Sequence, residues 1–147
     1  MTTPEPIPAE RLSEDAVLPS RAHPTDAGLD LAAAEDAILG PGERAAIGTG
    51  LALAVPDGHA GLVLPRSGRA LREGLTVANA PGLIDSGYRG EIKVILVNLG
   101  DAPVAITTGE RIAQLVLTPV VLAAATFVDR LPAHDGRGEG GFGSSGS

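Results

Sequence analysis

Turn signals recur so often along this chain that they leave room only for short elements. There are 20 glycines and 12 prolines among its 147 residues. They form clusters such as PGE, PDG, LGDAP and TTGE between short apolar segments, a spacing typical of many short strands. Helical periodicity is nearly absent. The pattern therefore predicts an all-β sandwich, jelly roll or distorted barrel with one short helix.

Four segments carry the strand signal most clearly. In GLALAVP and GLVLP, apolar residues alternate with smaller ones, at Leu51, Leu53, Val55, Leu62 and Leu64. This period of two predicts half-buried strands. The segments EIKVILVN (91–98) and RIAQLVL (111–117) are dense in β-branched residues, so we expect them to be central strands buried on both faces.

The remaining organisation is simple. The one helix expected runs from about Gly68 to Glu73, with Ser67 as its N-cap. No internal repeat is visible. Residues 1–132 are expected to form a single domain that begins with an extended arm of about eight residues. Residues 133–147 are expected to form a flexible glycine-rich arm, so both ends are expected to be mobile.

Composition excludes several classes of protein. The longest wholly apolar run, Val120–Ala125, is far shorter than the ~18 residues of a membrane span. The beginning, MTTPEPIPAE, shows no secretory signal, and the cytoplasm is the simplest expected location. Cysteine is absent, which excludes disulfides, thiolate catalysis and cysteine-based zinc sites.

Charge argues against a long nucleic-acid ligand. The net charge is −7, which opposes phosphate attraction over a large surface. Only three aromatic residues are present, too few to stack successive bases. Arginine is nevertheless strongly preferred, with Lys93 the only lysine. A few converging arginines could still bind a mononucleotide, although codon bias would produce the same preference.

The last twelve residues, GRGEGGFGSSGS, are the first segment that could carry chemistry. They match G-x-G-x-x-G, but no helix can follow in the residues left. They also fail as a phosphate-binding P-loop, because Phe142 stands where lysine is needed. An ordinary glycine/serine tail is the alternative. Arg137 and Phe142 favour instead a closing lid that offers a phosphate-binding fork and a flat apolar ring.

Two further segments combine polar groups with turns. PRSG places Arg66 and Ser67 at the start of the expected helix, where they could bind an anion or simply form a surface cap. In NAPGLIDSGYRGEIKV (79–94), Asp85 follows an apolar turn and could act as a base. Gly87 and Gly90 bracket Tyr88 and Arg89, which suggests a hairpin with the Tyr88 ring against a ligand. A type I turn capped by Asp85 is the alternative.

Two polar residues interrupt apolar strands. Asp30 lies in AGLDL and Gln114 in GERIAQLVL. Either could belong to a site, although Gln114 could equally be the outward residue of an alternating strand. The three histidines show no metal-ligand spacing and are expected to be solvated or structural: His23, His59 and His134.

Taken in order, the segments resemble the five motifs of the trimeric deoxyuridine triphosphate nucleotidohydrolases, the dUTPases. AGLDL is similar to the first motif, PRSG to the second, NAPGLIDSGYRGEI to the third, GERIAQL to the fourth and RGEGGFGSSG to the fifth. They span residues 27–146. Departures are small: Ser145 stands where threonine is more usual, and Arg69 is a bulkier neighbour of PRSG than expected.

The resemblance implies a homotrimer of jelly rolls with shared active sites and magnesium as cofactor. Asp85 would activate a water that attacks the α-phosphorus of dUTP, giving dUMP and pyrophosphate. Asp30 would contact the magnesium indirectly, through water. The residues implied in phosphate binding are Arg66, Ser67, Gly68, Gln114, Arg137, Gly143, Ser144 and Ser145. Such an enzyme limits uracil incorporation into DNA and supplies dUMP for thymidylate synthesis.

The third motif would also select the nucleoside. Backbone groups from about Asn79 onward, together with its amide, would pair with uracil in a slot too tight for thymine. Tyr88 would lie under the deoxyribose and exclude a 2′-hydroxyl, and Phe142 from a neighbouring subunit would stack on the base. The full set implied here is Asn79, Gly82, Ile84, Tyr88, Lys93 and Phe142.

Two alternatives remain at this point. A dCTP deaminase shares the general fold but acts on the base, whereas the phenylalanine in the fifth motif and Asp85 in IDSGYRG favour the hydrolase. A non-catalytic nucleotide-binding protein would need a lost motif residue, and none is missing. Zinc-dependent base deamination is excluded by the lack of cysteine. No nucleic acid or membrane partner is expected.

Overall fold

The computed structural model describes residues 5–136 and 138–142, and its regular structure is almost entirely β-strand. One helix interrupts the strands, as expected from the lack of helical periodicity. In chain order the elements are β1 (Ala9–Arg11), β2 (Leu29–Ala32), β3 (Ala37–Leu39), β4 (Arg44–Gly48), β5 (Leu51–Leu53), β6 (His59–Leu64), α1 (Ser67–Glu73), β7 (Leu75–Val77), β8 (Gly82–Asp85), β9 (Lys93–Asn98), β10 (Val104–Ile106) and β11 (Arg111–Pro119).

The strands form four separate antiparallel sheets. The largest has the order β2-β11-β6-β8, and a second has the order β4-β9-β7. Two-stranded pairs, β1-β5 and β10-β3, complete the arrangement. None of these sheets closes into a barrel. The expectation that 91–98 and 111–117 hold central strands is confirmed, because β9 and β11 each pair with a strand on both sides.

The core lies between the apolar faces of the two larger sheets and of the two-stranded pairs β1-β5 and β10-β3. Their inward side chains are fully buried, and each such Leu, Ile or Val contributes about 1.5–3 kcal/mol relative to an exposed one. The largest members are Leu31, Leu75, Val94, Leu96, Ile106, Ile112 and Leu115. They come from β2, β7, β9, β10 and β11, so the apolar faces of separate sheets share one interior.

Two burial predictions are wrong in detail. In β6 it is Val63, not Leu62 or Leu64, that lies fully in the core, so the face assigned from the two leucines is reversed. In β9 the residues alternate between exposed and buried, with Ile95 open to solvent. A continuous apolar run therefore does not mean burial on both faces, because the outer face of a single chain has no cover here.

The helix begins one residue earlier than expected. Ser67 is the first residue of α1 and is not the N-cap, which is Arg66, in extended backbone and with no side-chain capping bond. The end is as expected: Gly74 takes the left-handed conformation at φ 71°, and its N–H donates to the Ala70 carbonyl. A side chain at position 74 would also collide with the backbone of Gly100.

The hairpin expected around Tyr88 is not formed. β8 pairs with β6, whereas β9 pairs with β4 and β7, so residues 86–92 form an irregular crossing between two sheets. β8 is consequently the edge of the four-stranded sheet. The opposite edge is β2.

The described chain ends lie outside the large sheets. Ile7 packs against the core and β1 pairs with β5, so the part of the N-terminal arm that follows residue 4 is attached to the domain. Beyond β11, the described residues form no strand or helix, and Val121, Leu122 and Phe127 are exposed. In the parts of the chain placed by the structure, no helix has the length and hydropathy to cross a bilayer.

Candidate active site

The first, second and fourth motifs meet in one cavity of about 640 Å³. β2 supplies the first motif, the start of α1 the second and β11 the fourth. The strand register explains the meeting, because Gln114 of β11 lies opposite Asp30 on one side and Leu64 on the other. The predicted residues that line it are Asp30, Arg66, Ser67, Gly68 and Gln114.

Asp30 is held at this cavity by two arginines. Its Oδ1 lies 3.3 Å from Nε of Arg66, and its Oδ2 lies 3.1 Å from Nη1 of Arg111. Arg66 Nη1 also donates to the Arg111 carbonyl oxygen at 3.4 Å. The carboxylate is thus neutralised and orients Arg66 across the cavity mouth. Arg111, within GERIAQL, pairs with Asp30 beside this cavity and is not among the residues that we predicted for the site.

Gln114 is oriented by its surroundings in the same way. Its Nε2 donates to the Pro65 carbonyl at 2.9 Å, directly before Arg66. Gly28 leaves the space that its Oε1 occupies, because a Cβ at position 28 would collide with that oxygen. Gln114 is half-buried. Gln114 alternates with the buried Ala113 and Leu115, so it lies on the less buried face of β11, as the alternative of an outward residue has it, and that face lines the cavity.

A further arginine, Arg72, lies against the start of α1. The guanidinium of Arg72 packs on Gly68, where an added Cβ would lie 3.1 Å from Nη1. Ser67 beside it is exposed, with its hydroxyl free to face a ligand. Arg66 and Arg72 therefore place positive charge on the cavity wall. The spacing of four residues from Gly68 to Arg72, one helical turn, is the signal that could have identified Arg72.

Arg69 fastens the helix to the turn before β11. It is 7% exposed, and its guanidinium donates to Glu73 through Nε at 2.6 Å and Nη2 at 3.1 Å. Nη2 also reaches the Ala105 carbonyl, and Nη1 lies 3.3 Å from Oε1 of Glu110. The hydrogen bond from Arg69 lowers the pKa of the Glu73 carboxyl, although partial burial opposes the shift. The departure from the motif is thus a buried arginine whose carboxylate partners, Glu73 and Glu110, remain partly exposed.

The third motif forms a different cavity of about 400 Å³. Asp85, the last residue of β8, is exposed beside it, and no described residue forms an ion pair or hydrogen bond with its carboxylate. Tyr88 and Lys93 line the same cavity. The Tyr88 hydroxyl donates to the Glu91 carbonyl at 3.0 Å, and Lys93 Nζ lies 3.6 Å from Oε2 of Glu91.

The other third-motif residues lie in or beside β8, where mainly the backbone is accessible. Gly82 and Ile84 are buried, and the Ile84 side chain packs in the core, so only its backbone could meet a ligand. β8 pairs with β6 on one side, and no described strand pairs with its other edge. Its outward N–H and C=O groups therefore remain available, as on any edge strand. Asn79 is exposed just before this edge.

The two cavities share no residue in the described chain. Asp30 lies in β2 and Asp85 in β8, at opposite edges of the four-stranded sheet. Three strand spacings separate them by about 14 Å before any offset along the strands is counted. Asp85 lies opposite Ala60 of β6, and Arg66 follows six residues after Ala60, about 20 Å away at about 3.3 Å per residue. One nucleotide therefore cannot place its α-phosphorus beside Asp85 and its phosphate chain on Arg66 of the same chain.

The fifth motif is described only in part. Phe142 is fully exposed, and its backbone has a positive φ of 49°. Four predicted residues lie outside the described residues: Arg137, Gly143, Ser144 and Ser145.

The donor set suits a magnesium ion that arrives with a substrate. The described residues contain no cluster of three His, Cys, Asp or Glu side chains able to hold a metal. Both Asp30 oxygens are paired with arginines, which leaves them able to accept from metal-bound water but not to bind the metal alone. Mg²⁺ commonly retains waters and binds mainly through substrate phosphates. The residues present therefore fit an indirectly held ion.

Comparison with known proteins supports the motif assignment. A family model of the dUTPases matches residues 14–146. The deoxyuridine 5′-triphosphate nucleotidohydrolase of Thermobifida fusca is 57% identical over 141 residues, covering 95% of this chain and 78% of that protein. The protein of the same name from Corynebacterium glutamicum is 52% identical over 147 residues, covering 99% and 98%.

Solved structures agree with the fold. The dUTPase of Staphylococcus bacteriophage 80alpha with dUPNHPP has a TM-score of 0.92 at 32% identity, covering 98% of this chain and 100% of that one. A mutant dUTPase from phage phi11 of S. aureus, solved to show the coordination of a structural Mg(II) ion, has a TM-score of 0.80 at 29% identity, covering 86% and 98%. The jelly-roll expectation and the resemblance are confirmed. The chain belongs to the dUTPase family, the family of dUTP diphosphatases.

Proposed function

We propose that the chain hydrolyses dUTP to dUMP and pyrophosphate at sites assembled from several copies. The main support is the division of the motif residues between two cavities at opposite sheet edges. A phosphate-binding half and a nucleoside half that cannot meet within one chain can meet across a subunit interface. A closed homotrimer with three such interfaces satisfies every copy equally.

Asp85 is the base in this proposal. Its carboxylate is exposed and unpaired among the described residues, so it can accept a proton from water. The water oxygen bonds to the α-phosphorus while the bond from that phosphorus to the oxygen bridging to the β-phosphate breaks. The proton passes to Asp85, and pyrophosphate leaves with the electron pair of the broken bond.

The phosphate chain lies in the cavity of Arg66, Ser67, Gly68 and Gln114, where arginine forks and N–H donors meet its negative charge. Residues 133–147 act as an arm that closes over a neighbouring site. The arm adds Arg137, Gly143, Ser144 and Ser145 to the phosphate contacts. The domain proper is residues 1–132.

Magnesium bound to the phosphate oxygens would neutralise charge and fix the geometry of the leaving pyrophosphate. Asp30 would accept hydrogen bonds from water around the ion, and its pairing with Arg66 and Arg111 holds the carboxylate in place. The chain's own contribution is therefore orientation of the outer hydration shell.

The nucleoside binds at the free edge of β8. Uracil pairs with outward backbone groups from Gly82 to Ile84 and with the Asn79 amide, which leaves no room for the thymine methyl. Tyr88 forms the floor under the deoxyribose and excludes a 2′-hydroxyl. Lys93 borders the cavity, and Phe142 of a neighbouring arm stacks on the base. In a cytoplasmic setting the reaction limits uracil incorporation into DNA and supplies dUMP for thymidylate synthesis.

Pyrophosphate release from dUTP, dTTP, dCTP and UTP, each with and without Mg²⁺, tests the proposal. We expect release from dUTP alone, and only with the metal. Ammonia release from dCTP measured in parallel would identify a deaminase instead. Nucleotide binding without release of either product would indicate a non-catalytic protein.

A further inference from the structure

The Tyr88 ring occupies the space that a side chain at position 90 would need. An ideal Cβ on Gly90 would lie 2.5 Å from the Tyr88 hydroxyl oxygen and 2.7 Å from Cζ. Gly90 does not have a positive φ, so its backbone conformation does not require glycine. The requirement comes from the ring, which is 46% exposed on the cavity that contains Asp85.

The carbonyl that anchors the ring belongs to a fixed segment. Tyr88 donates its hydroxyl proton to the Glu91 carbonyl oxygen at 3.0 Å. The Glu91 carboxylate accepts from Gly50 N–H at 3.0 Å, and Ile92 N–H donates to the Leu51 carbonyl at 2.7 Å. Thr49 adds a hydroxyl bond of 2.6 Å to the Ile92 carbonyl. The anchor therefore cannot follow a displaced ring at low cost.

We propose that Gly90 is a specificity-determining positioning residue that sets the depth of the Tyr88 ring and thereby the choice of deoxyribose over ribose. This role rests on the proposed function of the site. Steric exclusion of one hydroxyl needs a floor that does not yield, and a close-packed contact with a fixed backbone supplies one. A methyl group at position 90 would force the ring off its anchor toward solvent, which opens room for the 2′-hydroxyl.

The same loop contains a matched control. Gly87 lies one residue before Tyr88, and Gly90 lies two residues after it. A Cβ at position 87 meets nothing within 4 Å. Gly87 also lacks a positive φ. Gly87→Ala and Gly90→Ala therefore restrict the unfolded chain equally and differ in whether the new methyl meets the ring.

The ring position can be measured without substrate. Tyr88 is the only tyrosine and tryptophan is absent, so intrinsic tyrosine fluorescence reports on this ring alone. We expect acrylamide to quench Gly90→Ala more strongly than the unaltered chain, and Gly87→Ala to match the latter. Equal quenching in all three would overturn the proposed contact, whatever the chain hydrolyses.

Sugar selectivity is then measured as the ratio of kcat/KM for dUTP to that for UTP. Gly90→Ala should lower this ratio about tenfold or more, within the range that steric exclusion of one small group provides. Gly87→Ala should leave it unchanged. A displaced ring with an unchanged ratio would overturn the specificity role. If the unaltered chain cleaves neither nucleotide, the proposed function and this role fall together, while the quenching result still decides the contact.

A double variant distinguishes an effect of Gly90→Ala on the Tyr88 ring from a general loss of folding. In a Tyr88→Ala background the methyl at position 90 has no ring to meet, so circular dichroism should show an intact fold. Adding Gly90→Ala there should change the sugar ratio no further, since coupled residues are not additive. A further fall in the ratio in this background would show that Gly90 acts other than through Tyr88.

Discussion

At the scale of single residues, the two carboxylates of the proposed site have opposite surroundings. Both oxygens of Asp30 are paired with arginines, whereas the Asp85 carboxylate has no ion pair or hydrogen bond among the described residues. A paired carboxylate is held in position, while one without a partner is free to contact a ligand or a water molecule. This difference supports the separate roles proposed for them.

Replacing Asp85 with asparagine tests the base directly. The amide keeps the size of the side chain but cannot take a proton, so we expect about 3–5 kcal/mol of lost transition-state stabilisation, a fall in kcat of roughly 10²- to 10⁴-fold. Binding of a non-hydrolysable dUTP analogue should persist. Asp101→Asn, at an exposed aspartate in a turn away from both cavities, should change kcat little. Near-normal turnover by Asp85→Asn would show that Asp85 is not the general base.

Glu73 makes stability depend on acid pH. Its pKa is lowered in the folded chain by the hydrogen bond from Arg69. A lowered folded pKa contributes stability that is present above the unfolded value, about 4.3 for glutamate, and is lost as pH falls through the folded value. We expect the gap in urea midpoint between the unaltered chain and Glu73→Gln to be largest near neutrality and to close on acidification. A gap independent of pH would contradict this linkage.

Arg69 also shows where residue-level prediction ends. Its partner Glu73 lies four residues away on the same helix, so that pairing is foreseeable from spacing. Glu110, in the turn before β11, and the Ala105 carbonyl, in β10, are distant in sequence and reach Arg69 only in the folded chain. From the sequence, Arg69 was therefore only a bulky departure from a motif.

At the scale of elements, the role proposed for β8 in the nucleoside site depends mainly on its position at a sheet edge. Gly82 and the Ile84 side chain are buried, and the edge of β8 that pairs with no described strand leaves backbone donors and acceptors for the proposed contacts with uracil. The hairpin expected around Tyr88 was wrong because bracketing glycines indicate a turn but not which strands pair across it. β8 instead pairs with β6, and residues 86–92 cross to the other sheet.

The C-terminal arm is the element whose removal separates folding from activity. Its described residues are mostly exposed and form no strand or helix, so deleting 136–147 should leave the urea midpoint nearly unchanged. Loss of Arg137, Phe142 and the two serines should reduce kcat/KM for dUTP by about 10²-fold or more. Undiminished activity of the truncated chain would show that this segment is an ordinary glycine/serine tail.

At the scale of the whole molecule, the proposed function divides each site between two cavities that do not meet in one chain, so we expect activity to require the assembly. Asp85 and Arg66 should serve different sites of one trimer, because one chain cannot bring them together. Exposed apolar residues beyond β11, among them Val121 and Leu122, are available to contact other copies.

Mixing inactive variants tests this sharing. Asp85→Asn and Arg66→Ala should each be nearly inactive alone, because each damages a different half of every site. Unfolded together in equal amounts and refolded, they should recover about a quarter of the full activity, the fraction of cyclic interfaces that join two intact halves. No recovery in mixed oligomers of confirmed composition would place the whole site within one chain.

The amino-acid sequence by itself identified the family and predicted most of the local structure. Five motifs in order identified the family, and turn clusters with short apolar runs predicted strands and a helix that ends at Glu73. These are local signals, since they depend on residues a few positions apart. Asp85, Arg66 and Gln114 could be named for this reason without knowing what surrounds them.

Only the tertiary structure decided which of these residues meet. It placed Asp30 and Asp85 at opposite edges of one sheet, turned Val63 to the core in place of Leu62, and laid the Tyr88 ring over Gly90. Each result depends on pairing between strands far apart in sequence, which periodicity does not encode. The physical reason is that a strand's pattern specifies a face to bury, whereas its neighbours are selected by the packing of the whole chain.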